Sequence, residues 1–225
     1  MPTSEDQSRN LKFQQTYITS ANIRTASTDL RLQQIITTMH LNNISFLFLQ
    51  ETRRETETVE LTIEKTKYIV YFSGHDQDNS HHGVGFAVKD KSCKLLEVSP
   101  ISNRILVAKL SIHNFKIRVI NCYSPTDVIT EQKNSDRVEF YETLQSILEK
   151  TSKNMQDLIC GDFNCNLRLK NLAKYNGNTK TISIPETANS NFLRNFLTNN
   201  DLCLPNTYFK HNFRHRFTHV MRVKN

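Results

Sequence analysis

Four strand-like runs in this chain end in side chains able to handle a cation, a water molecule or an anion. Leu158-Ile159-Cys160-Gly161 leads to Asp162 and, two residues on, Asn164. Ile44 to Leu49 leads to Gln50 and Glu51, Phe115 to Cys122 carries Asn121 and is followed by Tyr123, and Phe13 to Ile23 carries Asn22 near its end. A carboxylate can hold a divalent cation or take a proton from water, and a neutral amide can orient that water or an anion without adding charge. The phenol of Tyr123 can donate to an anionic oxygen. Each group also has a plainer reading. Asp and Asn after a strand are turn formers, Asn22 can cap backbone, and Tyr123 can be a core residue. Glu51 lies just past Ile44 to Leu49, of whose six residues five are apolar, so its charge needs either a cation or an arginine, Arg53 or Arg54. Gly161 lets the chain turn sharply, and the two-residue spacing places Asp162 and Asn164 on one face.

Strands and helices have to carry these groups. Phe13 to Ile23 reads as a first strand, and Thr28 or Ser27 can cap a helix with Leu32, Ile35, Ile36 and Met39 in one stripe. Ile44 to Leu49 and Leu158 to Gly161 read as inner strands, because unbroken apolar runs suit burial on both faces. Residues 52 to 66, rich in Thr, Glu and Lys, read as a solvated connection, and Tyr68 to Phe72 as a strand. The loop Gly74 to His82 holds His75, Asp76, Asp78, His81 and His82 at a spacing that fits no closed zinc site, with His81 or His82 available to an anion. Val84 to Val88, Cys93 to Val98 and Arg104 to Ser111 follow at hairpin-like spacing, which implies an antiparallel sheet. Arg104, at a strand start, is either structural or a substrate contact. In the run from Phe115, Ile117 and Val119 alternate with Lys116 and Arg118. The periodicity predicts a helix over 134–150 with Phe140, Leu144, Ile147 and Leu148 on one side, covering the sheet. A second helix follows from Phe192, Leu193, Phe196 and Leu197, capped by Asn189 or Ser190. Alternating strands and helices imply a layered α/β chain.

Lys and Arg number 29 against 22 Asp and Glu, a formal charge of +7. That favours a polyanionic partner, or simply a basic soluble surface. The cations concentrate in two places. Asn166 to Thr181 carries Arg168, Lys170 and Lys174, and Lys210 to Asn225 has no acid while Arg214, Arg216 and Arg222 interleave with Phe213, Phe217 and histidines. Basic and aromatic interleaving suits nucleic acid. Cys93, Cys122, Cys160, Cys165 and Cys203 are odd in number, which argues for reduced thiols and an intracellular chain, nuclear or cytoplasmic. Met1 to Asn10 are polar and expected to be disordered, with no apolar core for secretion, and no run reaches membrane-spanning length. One domain over 11–225 is expected, with no membrane partner and no small-molecule cofactor.

In order and spacing, Ala21-Asn22-Ile23-Arg24-Thr25, Leu49-Gln50-Glu51-Thr52, Asn121-Cys122-Tyr123-Ser124-Pro125 and Gly161-Asp162-Phe163-Asn164 resemble the motifs of the endonuclease/exonuclease/phosphatase family. Gly83 to Val88, Asn103-Arg104-Ile105 and Leu204 to Phe209 are similar to the apurinic-type endonuclease domains of non-LTR retrotransposons, a likeness shared with craniofacial development protein 2-like proteins. The resemblance implies a four-layer α/β sandwich: two packed, mixed, largely antiparallel sheets flanked by helices. It implies a DNA-nicking phosphodiesterase dependent on Mg²⁺, with Mn²⁺ as a substitute. In that scheme Glu51, with Asp162, holds the metal. Asp162 orients or deprotonates water, Asn164 and Asn22 fix water and phosphate, Tyr123 stabilises the transition state and Arg104 joins the basic segments on DNA. A phosphatase or lipid phosphodiesterase on the same scaffold, and an inactive nucleic-acid-binding remnant, remain open beside it. Relatives continue to an Ile-Asp-Tyr-like and a Ser-Asp-His motif that this sequence does not contain. A domain incomplete at its C-terminal edge, cleaving poorly or not at all, is therefore expected.

Overall fold

The strand β2 (Phe46–Gln50) is buried at every position. The computed structural model describes residues 16–74, 82–112, 115–126, 130–150, 154–167, 186–205 and 208. The chain forms two compact units, one within Met1–Cys122 and Asn154–Gly161, the other within Tyr123–Lys153 and Asp162–Asn225.

In the first unit, β1 (Ile18–Asn22), α1 (Asp29–Leu41), β2, β3 (Thr58–Ile63), β4 (Thr66–Ser73) and β5 (Val84–Lys89) give a five-stranded sheet in the order β1-β2-β5-β4-β3. β1 and β2 run parallel and the other pairings are antiparallel. The second sheet contains β6 (Lys94–Ser102), β7 (Ile105–Ile112), β8 (Phe115–Tyr123) and β9 (Gln156–Asp162) in chain order. Helix α1 begins where expected, with the Thr28 hydroxyl accepting from Arg31 N. Its Leu32, Ile35, Ile36 and Met39 are buried against Leu47, Leu49, Tyr68, Val70, Phe72 and Ala87. On the opposite face of the same sheet Phe86 stacks on Phe48 at 4.8 Å and on Phe46 and Tyr71 at 6.1 and 6.2 Å. Cover on both faces is why β2 is continuously apolar rather than alternating. Each such side chain contributes about 1.5–3 kcal/mol of burial.

Several sequence expectations change. Residues 52–66 are not all connection: Thr58–Ile63 form β3, with Val59, Leu61 and Ile63 half-buried and Thr58, Glu60 and Thr62 exposed. Polar residues on every second position hid a one-sided strand. β5 and β6 do not form a hairpin, because β5 lies in one sheet and β6 in the other. β9 is last in its sheet among the described residues and only half-buried, not an inner strand. Arg118 is buried and forks onto Asp157 at 2.7 and 2.8 Å, tying β8 to β9, whereas Phe115 is exposed.

The second unit contains α2 (Glu131–Glu149) and α3 (Ala188–Asn199). Thr130 caps α2, accepting from Lys133 N. Phe140, Tyr141, Leu144 and Ile147 are buried, and Tyr141 packs on Phe192 at 5.7 Å and Phe196 at 5.6 Å. The N-cap of α3 is Thr187, not Asn189 or Ser190. The Ser190 hydroxyl instead reaches back to accept from Thr187 N at 2.9 Å. No helix among the described residues is long and apolar enough to cross a membrane.

Candidate active site

Glu51 is held by the ends of two parallel strands in the first unit. Asn22 pairs with Gln50 in the β1–β2 register, and Ile23 N donates to Gln50 O at 3.1 Å. Asn22 caps backbone and also meets the Glu51 carboxylate. Its Oδ1 accepts from Arg24 N at 3.1 Å, closing a turn, and its Nδ2 donates to Glu51 Oε1 at 2.8 Å. The guanidinium of Arg53 stands 3.7 Å from Glu51 Oε2, too far for a direct hydrogen bond. Arg54, the other candidate partner, pairs with Asp29 and Glu57 instead. Glu51, Arg53 and Arg24 all have positive φ (56°, 53° and 62°). Other positive-φ residues, Asn43, Asp201 and Glu64, follow helix ends or turn a hairpin. Arg24 lies in the turn that Asn22 closes, whereas Glu51 and Arg53 have no such role, and backbone held in this region costs about 1–3 kcal/mol per residue, the kind of strain that collects at ligand sites.

Beneath Glu51 lies a fully buried amide. Asn121 Nδ2 donates to Leu49 O at 3.0 Å and Gly85 O at 2.9 Å, and its Oδ1 accepts from Gln50 Nε2 at 2.6 Å. This side chain, from β8, ties its own sheet to the end of β2. Next to it, Thr52 N donates to Gly83 O and Arg53 N to His82 O. Arg104, half-buried at the β6–β7 turn, places its guanidinium 3.1 Å from His82 Nε2. Because the guanidinium can only donate, His82 Nε2 accepts there.

In the second unit, Asp162 ends its strand and its Oδ1 accepts from Asn164 N at 2.9 Å. Asn164 has φ 45°, and its Nδ2 donates to Ser124 O at 2.8 Å. Ser124 N in turn donates to Asp162 O. The two residues are therefore joined by a turn rather than lying on one strand face. Tyr123 is 3% exposed. Gly161, in the first unit, has φ 139°, and a Cβ on it would lie 1.9 Å from Cys122 O. That close approach admits no side chain.

Two further side chains hold the Asp162–Asn164 turn: Asn189, which the sequence offered only as a helix cap, and Arg137, which it did not single out. Asn189 on α3 and Arg137 on α2 are both fully buried. Asn189 Nδ2 donates to Pro125 O at 2.7 Å, Asn164 O at 2.9 Å and, more weakly, Phe163 O at 3.3 Å, while its Oδ1 accepts from Arg137 Nε at 2.6 Å. A signal was present: Arg137 falls on the apolar stripe of Phe140, Leu144 and Ile147, and Asn189 four residues ahead of buried Leu193. Polar residues on a buried stripe are normally there to be hydrogen-bonded.

A magnesium ion needs only one or two carboxylates, since it keeps most of its water. The half-buried Glu51 carboxylate, steadied by a neutral amide, fits that requirement. Among the described residues no three His, Cys, Asp or Glu side chains are grouped as a metal cage. Arg168, Lys170, Lys174, Arg214, Arg216 and Arg222 lie outside the described residues, as do residues 1–10. The five cysteines form no disulfide. Burial pushes Cys160 up to about 12, partly offset by a hydrogen bond with Ser20, and Cys93 up to about 11.

No protein-family model and no curated protein matches the chain. Solved structures do. The endonuclease domain of TRAS1, a telomere-specific non-LTR retrotransposon, superimposes with a TM-score of 0.51 at 14% identity, over 82% of this chain and 70% of that one. An AP endonuclease from Archaeoglobus fulgidus gives 0.45 at 23% identity over 64% of this chain and 55% of that chain. A humanised TDP2 of D. rerio gives 0.46 at 15% identity over 68% and 64%. The chain thus spans little more than half of the archaeal protein. What it shares with the TRAS1 domain is a fold.

Proposed function

We propose that this chain, whose fold is that of the endonuclease/exonuclease/phosphatase proteins, is a divalent-metal-dependent phosphodiesterase that nicks DNA. The observation that carries the reading is the Asn22–Glu51 hydrogen bond at 2.8 Å, which steadies a carboxylate at a strand end on left-handed backbone. A half-buried carboxylate held in that way is poised for a hard cation.

Glu51 would hold Mg²⁺, and the bound ion supplies positive charge against the phosphate oxygens and the departing alkoxide. Asn22 keeps the carboxylate oriented through Nδ2. Asp162, whose Oδ1 is already fixed by Asn164 N, orients the attacking water and takes its proton at the carboxylate. Asn164 sets the turn, and Tyr123 is assigned to the phosphate. Arg104 and the basic residues Arg168, Lys170, Lys174, Arg214, Arg216 and Arg222 supply affinity for the DNA backbone, which falls as salt releases the counterion advantage. The excess of cations over anions, +7, agrees with that partner.

Nicking of supercoiled plasmid in Mg²⁺ tests the reading directly. Wild type should convert plasmid to open circles, and Glu51→Gln should lose most of that activity. Hydrolysis of soluble phosphomonoesters without plasmid nicking would replace the reading with a phosphatase. Salt-dependent DNA binding with no turnover under any divalent ion would replace it with a binding protein.

A further inference from the structure

We infer that Asn189 and Arg137 form a positioning clamp that sets the Asp162–Asn164 turn, and that they are required for turnover without touching substrate. The inference rests on the reading of Asp162 and Asn164 as catalytic. Its structural half stands on contacts within the second unit alone.

The turn has little regular structure to hold it. Strand β9 stops at Asp162, and residues 163–167 are irregular. Peptide groups in such a segment must find partners outside a ladder. Here the carbonyls come first. Pro125 O and Asn164 O belong to the segments after β8 and β9, and one side-chain amide, Asn189 Nδ2, donates to both. That amide is the staple between the two segments that carry Tyr123 and Asp162. Its orientation is set in turn, because Asn189 Oδ1 accepts from Arg137 Nε, which fixes which end of the amide is the donor. Arg137 places two more of its donors on Asn134 Oδ1 at 2.7 Å and Thr126 O at 3.0 Å. It therefore also binds the segment after β8. Around them, Ser190 Oγ donates to Asn166 O at 2.6 Å. The first turn of α3 thus meets three residues of the loop, Phe163 and Asn164 through Asn189 and Asn166 through Ser190.

Burial makes this arrangement stringent. Each of the two side chains is fully buried, so a lost partner is not replaced by water, and the polar group left behind bears its full desolvation cost. An arginine is suited to the task because its planar fork serves three acceptors at fixed angles, which a lysine cannot do. No side chain of the pair needs to approach a phosphate for the turn to depend on it.

Asn189→Asp separates these roles. It keeps an oxygen for Arg137 and nearly the same volume, but removes the donors to Pro125 O and Asn164 O. Arg137→Lys is the second variant, keeping the buried cation while losing the fork. Amide hydrogen exchange should rise at least about tenfold in 162–167 for Asn189→Asp, the loss of two hydrogen bonds, with β2 and α1 protected as in wild type. In the nicking assay, kcat should fall about 10- to 100-fold with KM within twofold, the signature of a misplaced group rather than lost binding. Arg137→Lys should show the same local pattern to a smaller degree. In a double-mutant cycle, Asn189→Asp should add little to Asn164→Ala. Exchange that rises uniformly along the chain, or not at all in 162–167, overturns the clamp, as does full additivity with Asn164→Ala. If wild type does not nick DNA, the DNA-nicking reading and the catalytic half of this inference fall together, and the exchange profile alone decides whether Asn189 holds the turn.

Discussion

Asn121 in the first unit and Asn189 in the second solve the same problem with the same bonds. Each is fully buried, each donates through Nδ2 to backbone carbonyls beside a candidate catalytic carboxylate, and each accepts one 2.6 Å hydrogen bond from a longer side chain, Gln50 Nε2 or Arg137 Nε. They differ in what they hold. The acceptors of Asn121, Leu49 O and Gly85 O, face each other in the β2–β5 ladder. Those of Asn189 lie in irregular chain. A strand end keeps its geometry through its ladder, so removing Asn121 should register as lost stability. A loop has only its side-chain anchors, so removing Asn189 should register as lost local order.

The largest expected effect tests whether both carboxylates belong in the comparison. Asp162→Ala should lower kcat for plasmid nicking by about 10²- to 10⁴-fold, the usual worth of a positioned acid or base, with an unchanged unfolding midpoint in urea. Glu51→Gln should act instead on the Mg²⁺ concentration needed for half-maximal rate, and an unchanged metal requirement would remove Glu51 from the pair.

Gly161→Ala probes the point where β8 and β9 come closest. A Cβ 1.9 Å from Cys122 O, on a φ of 139°, should cost on the order of 3 kcal/mol. Urea unfolding measures it, and a loss under about 0.5 kcal/mol, the level of a neutral surface change, would mean the strands are not so close.

Asn121→Ala leaves two carbonyls and the Gln50 amide short of a partner and should cost about 2–3 kcal/mol. The same measurement on Asn189→Asp should give the smaller global loss. The reverse ranking would break the distinction between ladder and loop.

The smallest effect is a pH dependence confined to the first unit. Burial raises Cys160 to about 12 and Cys93 to about 11 from 9.0, so both stay protonated in the folded chain at a pH where the unfolded thiols have ionised. That stability is fully present below about pH 9 and is lost as pH rises toward 11 and 12. Alkaline unfolding should begin in this window, and Cys160→Ala should blunt it. At pH 8 the exposed Cys203 should react with an alkylating agent well before Cys160.

Much of this was legible in residue types and spacing, where a pattern needs only one neighbour to make sense. The α1 stripe, the Thr28 cap, the buried run of β2 and the placement of Glu51 just past its end followed from periodicity and capping, which are local. What failed was whatever depended on which surface lay opposite. Arg118 stood out only as a polar residue alternating with apolar ones, and its burial rests on Asp157, 39 residues on. β3 looked like a connection because half its residues face water, and β9 looked central because its sequence is apolar, although it pairs on one side only among the described residues.

The sequence by itself determined where the acids and amides sit along the chain and which strands deliver them, because chemical type and period are properties of neighbouring residues. Only the tertiary structure decided how those groups are held. Asn121 reaches back 71 residues to Gln50 and Asn189 reaches back 52 to Arg137, and no local preference encodes such pairings. They form because a buried amide must satisfy its donors and acceptor wherever the fold brings a partner within reach.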